Sequence, residues 1–442
     1  MCFAARSRLF AAFVGRMREA MRYKALRTSL LLALAASPAV AIAAPDPQQV
    51  ALSSLREAPV WDGHNDVPEQ LRERRKDILA GFDFTDTSGT ADPGHDLQAM
   101  QTDIARLRKG HVGAQFWSVY VSAKLDDQHA VQATLEQIDV AKRLIAAYPK
   151  DLMFATSSAD VARAMKAGKV ASLLGMEGGH SIGGSLGVLR QMYALGARYM
   201  TLTHFRNTAW ADSATDTPEH GGLTEFGRDV VREMQRMGML VDLSHVSAAT
   251  MRDALEVARA PVMFSHSNAR AINGHTRNVP DDVLELLAKN GGIVMVNVFP
   301  TYVVEPTRQW LAAQAGEKAR QASLHPGDPE GAEAALKAWE KANPMPRGST
   351  SDVADHIEHI VRVAGIDHVG LGGDFDGVDV TVAGMEDVST YPALFTELAR
   401  RGMSKADLEK IASDNMMRVM KAAEAYASVH RGDPAIESPT TF

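Results

Sequence analysis

The chain is almost free of cysteine, since its 442 residues include only Cys2. An intrachain disulfide needs two cysteines and a thiolate zinc site needs several, so the sequence excludes both. Any bound metal must be held by nitrogen and oxygen atoms, for which the chain has 15 histidines and 54 acidic residues. Because most histidines are ordinary surface or core residues, their positions decide more than their number.

The chain also lacks a concentration of positive charge. Its 47 lysines and arginines are outnumbered by acidic residues, which gives a formal net charge of −7. Nucleic-acid binding depends on clustered basic side chains that neutralise phosphates, so this balance argues against a nucleic-acid partner. A content of 45% hydrophobic and 23% charged residues is typical of a soluble globular protein with a large core.

Long apolar runs are scarce, and the clearest one lies near the amino terminus. In residues 21–44, three basic residues precede an apolar run that contains Pro38 and ends in small residues. This order is typical of a signal peptide, and the run is short for a membrane span. We expect a signal peptide starting at Met21, cleavage near Ala43, and export to a bacterial periplasm without a stable membrane anchor. Residues 1–20 then form an extension or part of a long basic region before the apolar run.

From Val60 onward, short apolar runs alternate with amphipathic stretches, which is the pattern of βα units around a parallel sheet. The predicted strands are Val60–Asp66, His111–Val121, Val170–Glu177, Ala197–His204, Gly238–His245, Pro261–His266, Gly291–Phe299 and His368–Asp374. The predicted helices are Asp96–Arg108, Val131–Ala147, Leu186–Leu195, Phe226–Met237, Ala248–Ala258, Asp281–Ala288, Val353–Ala364 and Lys405–Ala422. If the sheet of eight such units closes into a barrel, its edge strands pair with each other and no backbone edge is left unpaired. The sequence therefore predicts an α/β fold of the TIM-like (β/α)8 barrel type.

Residues 303–350 interrupt this pattern between the seventh strand and the helix that follows it. Within this segment, Glu330–Lys341 has a helical pattern that Pro344 and Pro346 end. We interpret the segment as a helical insertion near the barrel mouth, which is either a solvated excursion or a wall of the site.

The predicted organisation therefore has three parts. Residues 1–44 form the N-terminal extension and signal peptide. Residues 45–426 form the (β/α)8 domain, including the insertion, and residues 427–442 form a C-terminal tail.

Potential metal ligands recur where the predicted strands end, which is where barrel enzymes have their active sites. His64 and Asp66 end the first strand, and side chains two apart on a strand share a face and can bind one cation. Further strands end at Glu177, His204, His245 and His266, which supply a glutamate and at least two more histidines. An isolated histidine of this kind is more often a core residue bonded to a carboxylate, but five ligands at one rim favour a metal site.

Three histidines and two carboxylates suit zinc, which accepts imidazole and carboxylate ligands. Five ligands exceed what one open catalytic zinc ion needs, so the sequence predicts two zinc ions per chain. Glu177, on a strand between the others, is the natural bridge. A water shared by two zinc ions is acidic enough to act as hydroxide near neutral pH and to attack an amide carbonyl.

The segments that carry these residues are WDGHND, GMEGGH, LTHFRNTAWADS, VDLSHVS, SHSNAR, RNVPDD and GGDFDG, followed by EDVSTYPALFTELARRG. In this order, over roughly residues 51–426, they resemble the membrane (renal) dipeptidase family of zinc peptidases. The resemblance implies that Glu177 bridges the two zinc ions. It also implies that His64 and Asp66 bind one ion and that His245 and His266 bind the other.

The resemblance also implies roles for residues that bind substrate or transfer protons. His204 would stabilise the tetrahedral intermediate, Arg277 would bind the substrate carboxylate, and Asp374 would transfer the proton. A carboxylate facing the metals can carry a proton to the leaving amine, and a guanidinium can bind a carboxylate through two hydrogen bonds. Purely structural roles stay open for these three, as a core histidine, a salt bridge and a turn cap. Tyr302 matches a substrate-contacting tyrosine of the family.

Five further polar residues are weaker candidates. His180, Asp242 and Asp376 lie beside predicted ligands and could orient them. His356 and His359 lie three apart on a predicted helix, where they could chelate weakly or simply occupy a helix face.

The predicted function is that of a periplasmic zinc dipeptidase, a homodimer as the resemblance implies, with a dipeptide as its small-molecule partner. Vertebrate members of the family have disulfides and a C-terminal lipid anchor, which we do not expect in a chain without the cysteines and with a polar tail. Two alternatives remain. The same site could hydrolyse other small amides, such as N-acyl amino acids or β-lactams, or the barrel could be a non-catalytic metal-dependent binding protein. Asp374 beside a full ligand set argues against the last.

Overall fold

The computed structural model describes residues 45–95 and 97–440. The predicted extension and signal peptide, residues 1–44, lie outside this part. Within it, no helix has the length and apolar character needed to cross a membrane.

Nine parallel strands occur in the described part, and eight of them close a barrel. They are β1 (Val60–Asn65), β2 (Val112–Ser118), β3 (Leu152–Phe154), β4 (Val170–Glu177), β5 (Ala197–Thr201), β6 (Leu240–Asp242), β7 (Met263–Phe264), β8 (Ile293–Val296) and β9 (Val369–Leu371). Neighbours around the barrel follow the chain order without β3, and the pairing of Asp62 with Leu371 joins β9 to β1. The short β3, which the sequence did not predict, pairs only with the first half of β4. The predicted TIM-like barrel is confirmed.

Helices alternate with these strands and surround the barrel. They are α1 (Pro47–Glu57), α2 (Val67–Arg75), α3 (Ile104–Lys109), α4 (Asp127–Ala147), α5 (Ser158–Lys166), α6 (Leu186–Ala194), α7 (Glu225–Met237), α8 (Ala248–Val257), α9 (Asp281–Asn290), α10 (Pro300–Val303), α11 (Glu305–Leu324), α12 (Pro329–Ala342), α13 (Thr350–Ala364), α14 (Tyr391–Arg400), α15 (Lys405–Glu409) and α16 (Asn415–His430). Polar side chains at the residue before a helix commonly accept hydrogen bonds from its first turn, as Asp103 does from Arg106 N before α3.

A layer of large side chains fills the barrel interior below the rim. Strand side chains alternate between two faces, so one set points inward and the other packs against the helices. The inward set includes Trp61, Phe116, Leu173, Tyr199, Leu240, Met263, Ile293 and Met295. Because all of these are buried, the barrel is a packed core and not a channel. Polar side chains at the strand ends therefore form the floor of a site above this layer.

The predicted insertion is a pair of packed helices. Its second helix, α12, matches the predicted stretch Glu330–Lys341. The first helix, α11, was missed because its apolar residues do not recur on one face, and only Thr307 and Gln321 of α11 are buried. Trp310 of α11 and Trp339 of α12 pack with ring centroids 5.7 Å apart.

Two other predicted helices differ in their bounds. The prediction Asp96–Arg108 is wrong in its first half, because α3 begins at Ile104 and the buried Met100 belongs to a loop. The prediction Lys405–Ala422 covers α15 and part of α16, separated by a π-helical turn at Lys410–Asp414.

Candidate metal centre and substrate cavity

The five predicted metal ligands lie together at the carboxyl ends of four barrel strands. His64 lies in β1 and Asp66 directly follows it, Glu177 is the last residue of β4, and His245 and His266 follow β6 and β7. All five are buried. The parallel barrel brings these strand ends to one rim, which is why residues 200 positions apart in the sequence meet.

The carboxylate of Glu177 lies between two groups of ligand atoms. Its Oε2 is 3.4 Å from His64 Nε2, which is in turn 3.3 Å from Asp66 Oδ2. Its Oε1 is 3.0 Å from His245 Nε2 and 3.4 Å from His266 Nε2. Each carboxylate oxygen therefore belongs to a different ligand group.

The atoms of this cluster are better arranged to bind metal ions than to form hydrogen bonds with one another. His64 Nε2 and both oxygens of Asp66 are buried without a hydrogen-bond partner in the described part of the chain. Unpaired buried polar atoms cost free energy, and the cost of a carboxylate is high. In each of the two ligand groups, the ligand atoms lie within 4.8 Å of one another. Imidazole nitrogens with carboxylate oxygens are a donor set that suits zinc.

The protonation states of His245 and His266 favour cation binding. Burial lowers the pKa values of His245 and His266 well below the usual range, with nearby Arg277 adding to this effect. Both rings are therefore neutral and keep a lone pair for a metal. Burial raises the pKa of Glu177, and the nearby His64 and Arg277 oppose this increase. Burial by itself would lower the pKa of His64, but Tyr199, Asp66 and Glu177 outweigh it and raise that pKa well above its usual value.

Hydrogen bonds from the strands orient His64 and Glu177. Tyr199 Oη lies 2.8 Å from His64 Nδ1, and Ser118 Oγ donates to Glu177 Oε2 at 3.2 Å. The Tyr199 ring fits there because Gly175 on the neighbouring strand has no side chain, and a Cβ at Gly175 would lie 2.0 Å from that ring. Such partners of metal-binding groups commonly hold the ligand and set its basicity.

Asp242 orients His266 indirectly. Its Oδ2 accepts hydrogen bonds from Ser265 Oγ at 2.6 Å and from Thr201 Oγ1 at 2.5 Å. Ser265 Oγ in turn lies 2.8 Å from Nδ1 of His266. Asp242 was predicted to orient a metal ligand, and in the structure Ser265 connects it to His266.

A cavity of about 250 Å³ opens above the ligand cluster. Its lining includes all four residues to which the resemblance assigns substrate or proton roles, His204, Arg277, Tyr302 and Asp374. No residue of the insertion from 303 to 350 lines this cavity in the described part of the chain. The insertion is therefore an excursion from the barrel and not a wall of this cavity.

Arg277 is a buried cation, with 1% of its surface exposed. Its guanidinium carbon lies 5.1 Å from the centroid of the Tyr302 ring, and its Nη atoms donate to Ser267 Oγ and to the carbonyl of His266, both at 3.3 Å. No carboxylate within the described residues forms an ion pair with it, and its Nε has no partner. An unpaired buried guanidinium at a cavity wall is suited to bind an anionic group of a ligand.

Asp374 faces the ligand cluster from the turn after β9. One of its carboxylate oxygens lies within 4.8 Å of ring nitrogens of His64 and His266. Burial raises its pKa well above the usual value, with Asp66 and Glu177 adding to the effect. The turn is tight because Gly377 has no side chain, and a Cβ there would lie 2.2 Å from an oxygen of Asp66. Asp374 is thus a buried carboxyl group that can hold a proton beside the metal ligands.

His204 lies at the edge of the same cluster, with its Nε2 3.6 Å from Glu177 Oε1. Its Nδ1 is buried without a hydrogen-bond partner among the described residues. Burial lowers its pKa well below the usual value, so the ring is neutral and can donate one hydrogen bond into the cavity.

The remaining candidates lie outside the cluster. His180 Nε2 lies 3.0 Å from the carbonyl of Val121, and Asp376 accepts a hydrogen bond from the backbone of Gln101. The helical pair is structural, since His356 bonds to backbone groups and His359 pairs with a carboxylate, Asp281.

Sequence reasoning missed Tyr199 and Ser118, which contact predicted ligands from other strands, and Ser265, which directly precedes His266 and contacts its ring. It also missed Glu69 and Tyr120, which line the cavity from outside the recognised motifs.

Comparisons with known proteins identify the family of the chain. The sequence profile described as membrane dipeptidase (Peptidase family M19) matches residues 49–433. Dipeptidase 3 of Macaca fascicularis is 40% identical over 389 residues, which are 87% of this chain and 69% of that protein. An uncharacterized dipeptidase of Schizosaccharomyces pombe is 39% identical over 412 residues, which are 90% of this chain and 88% of that protein.

Two solved structures share the fold. The probable dipeptidase PvdM of Pseudomonas aeruginosa has a TM-score of 0.73 at 23% identity, over 86% of this chain and 99% of that one. A metallo peptidase of Rhodobacter sphaeroides, liganded with a phosphinate mimic of the dipeptide L-Ala-D-Ala, has a TM-score of 0.66 at 22% identity, over 83% and 99% of the two chains. With this fold, this ligand cluster and these relatives, the chain belongs to the membrane dipeptidase family, peptidase family M19, and is a metallo-dipeptidase.

Proposed function

We propose that the protein is a two-zinc dipeptidase that cleaves the amide bond of small dipeptides. The observation that carries the proposal is the position of Glu177, whose two oxygens each belong to a separate group of ligand atoms. His64 and Asp66 would hold one ion, and His245 and His266 the other. When bound, two zinc ions would supply an acidified water as the nucleophile and would polarise the scissile carbonyl.

The remaining cavity residues would bind and orient the dipeptide. Arg277 would receive the C-terminal carboxylate, with Tyr302 packed against its guanidinium. The neutral His204 would donate a hydrogen bond to the carbonyl oxygen as charge develops on it. Asp374 would take the proton from the attacking water and deliver it to the leaving amine.

A substrate panel tests this proposal directly. The zinc-loaded protein should hydrolyse unmodified dipeptides faster than N-acyl amino acids or β-lactams. Faster turnover of the acylated amino acids or β-lactams would assign the same site to other small amides. Binding of dipeptides without turnover, in protein that contains zinc, would indicate a non-catalytic binding protein.

Replacing Arg277 tests how the carboxylate is recognised. Arg277→Lys keeps the charge but loses the two-pronged hydrogen bonding, so KM for a free dipeptide should rise about tenfold or more while kcat changes less. Steady-state kinetics on a dipeptide and on its C-terminal amide measure the effect. The amide should be a poor substrate for the wild type and little worse for the variant.

The exposed Arg252 provides a matched control, because Arg252→Lys makes the same chemical change far from the cavity. An equal loss for Arg277→Lys on the free and the amidated substrate would show that Arg277 has a structural role.

We also propose that the chain is exported to a periplasm and forms a homodimer. Residues 1–44 would be removed, residues 45–426 would form the catalytic domain and residues 427–442 the tail. Sequencing the amino terminus of protein from the periplasmic fraction should place cleavage near Ala43. Recovery of Cys2 or Met21 at the mature terminus would contradict export by this signal. Light scattering of the purified protein measures the oligomeric state.

A further inference from the structure

Two carboxylates of the cavity have no role in the proposed reaction. Five acidic residues line the cavity: Asp66, Glu69, Glu177, Asp374 and Asp379. The proposed metal ligands and proton carrier account for three of them. Glu69 and Asp379 remain, and Glu69 is the more enclosed, since Asp379 is exposed at the rim.

Glu69 lies in surroundings that favour a bound cation. It is in the first turn of α2, three residues beyond Asp66, and the amino end of a helix favours an ionised carboxylate. Burial raises its pKa, and the charged neighbours that act on it are all acidic, namely Asp66, Glu73, Glu177 and Asp374. No side chain in the described part of the chain forms a hydrogen bond or ion pair with it. Bound metal ions would neutralise Asp66 and Glu177, so the charge available to a positive group there is mainly that of Glu69 itself.

The chain offers no lysine or arginine for this position. Arg277 is the only such side chain that lines the cavity within the described residues, and it packs on Tyr302. Glu69 lies on α2, after β1, whereas Arg277 and Tyr302 lie on the segments that follow β7 and β8. If Arg277 binds the second residue of the dipeptide through its carboxylate, the first residue extends away from Arg277.

Resting on the proposed dipeptidase function, we propose that Glu69, assisted by Asp379, binds a cationic side chain on the first residue of the substrate. The enzyme would then prefer dipeptides that begin with lysine or arginine. The α-ammonium group is a less suitable partner, because it lies two bonds from the scissile carbonyl carbon and hence beside the metal ligands. Glu69 is about 5 Å further along α2 from Asp66, one helical turn, which a long side chain can span.

The test compares Lys-Ala with norleucyl-alanine, whose first side chain has similar length without the charge. The wild type should show at least about a tenfold higher kcat/KM for Lys-Ala, the scale of a hydrogen bond to a charged group. Glu69→Gln should abolish this preference, reduce kcat/KM for Lys-Ala and leave that for norleucyl-alanine close to wild type. Bound zinc, measured by elemental analysis, should be unchanged in the variant.

Glu73→Gln is the matched control, because Glu73 is one helical turn further along α2 and does not line this cavity. It should keep the wild-type preference, whereas Asp379→Asn should reduce it partly. An equal loss on both substrates in Glu69→Gln would assign Glu69 to the α-ammonium group and overturn the inference. A wild type that cleaves both dipeptides without preference would also overturn it while leaving the proposed function intact. Cleavage of neither would overturn both.

Discussion

Glu177→Gln is expected to lose bound metal and at least about 10³-fold of kcat/KM together. The substitution keeps the shape of the side chain but replaces one ligand oxygen by an amide nitrogen that cannot bind a cation. A 10³-fold loss corresponds to about 4 kcal/mol of transition-state stabilisation, which is within the range that a catalytic metal supplies. Elemental analysis of dialysed protein and steady-state kinetics on the same sample measure both effects. The wild type should contain two zinc ions per chain.

Glu177→Asp refines the same experiment. The aspartate keeps the charge but is one methylene shorter, so it cannot reach both ligand groups and should retain about one ion per chain. Thermal unfolding with and without a chelator shows whether each variant folds and how much bound metal stabilises it. A wild type that is fully active with one ion per chain would exclude the bridging role.

Asp374→Asn is expected to reduce kcat by about 10²-fold or more with little change in metal content or in KM. An asparagine side chain retains the size and the hydrogen-bonding oxygen of aspartate but cannot accept and release a proton, and this is the usual scale of general acid–base catalysis. Asp374 has a φ of +63°, a conformation that asparagine tolerates well, so the turn should be preserved. Single-turnover kinetics would separate the chemical step from substrate binding and product release.

Asp376→Asn is the matched control for that variant. Asp376 lies in the same turn with a φ of +68°, yet its carboxylate accepts a hydrogen bond from the backbone of Gln101 instead of facing the metal ligands. The control should keep near-normal kcat. Near-normal turnover in Asp374→Asn itself would assign the proton transfer to another group.

The sequence was sufficient for the barrel and for the groups at its rim, for identifiable physical reasons. Apolar strands alternating with amphipathic helices specify the closed parallel sheet, and each ligand is the last or nearly the last polar residue of a strand, as His64 and Glu177 illustrate. Residues that act across strands were not predictable in this way. Tyr199 reaches His64 only because Gly175 leaves space for its ring, a relation between two strands that neither motif contains.

Two other features that the sequence analysis missed, Glu69 and helix α11, could likewise not be recognised from the local sequence. Glu69 is an ordinary helix-start residue by its local sequence, and only the folded structure shows that it lines the same cavity as the predicted metal ligands. The helix α11 buries almost nothing, so it leaves no periodic apolar pattern to detect.

Closure of the barrel determines when the catalytic centre becomes complete during folding. Asp374 follows β9, the last strand, and β9 pairs with β1, which carries His64 near the opposite end of the chain. Until β9 is in place, His64 and Asp374 are not held together, so the complete centre cannot precede the final step of strand pairing. Residues far apart in sequence must meet first, a step that is slow compared with local helix formation. Recovery of catalytic activity during refolding would therefore be a late event, and its time course would report when the two ends of the sheet join.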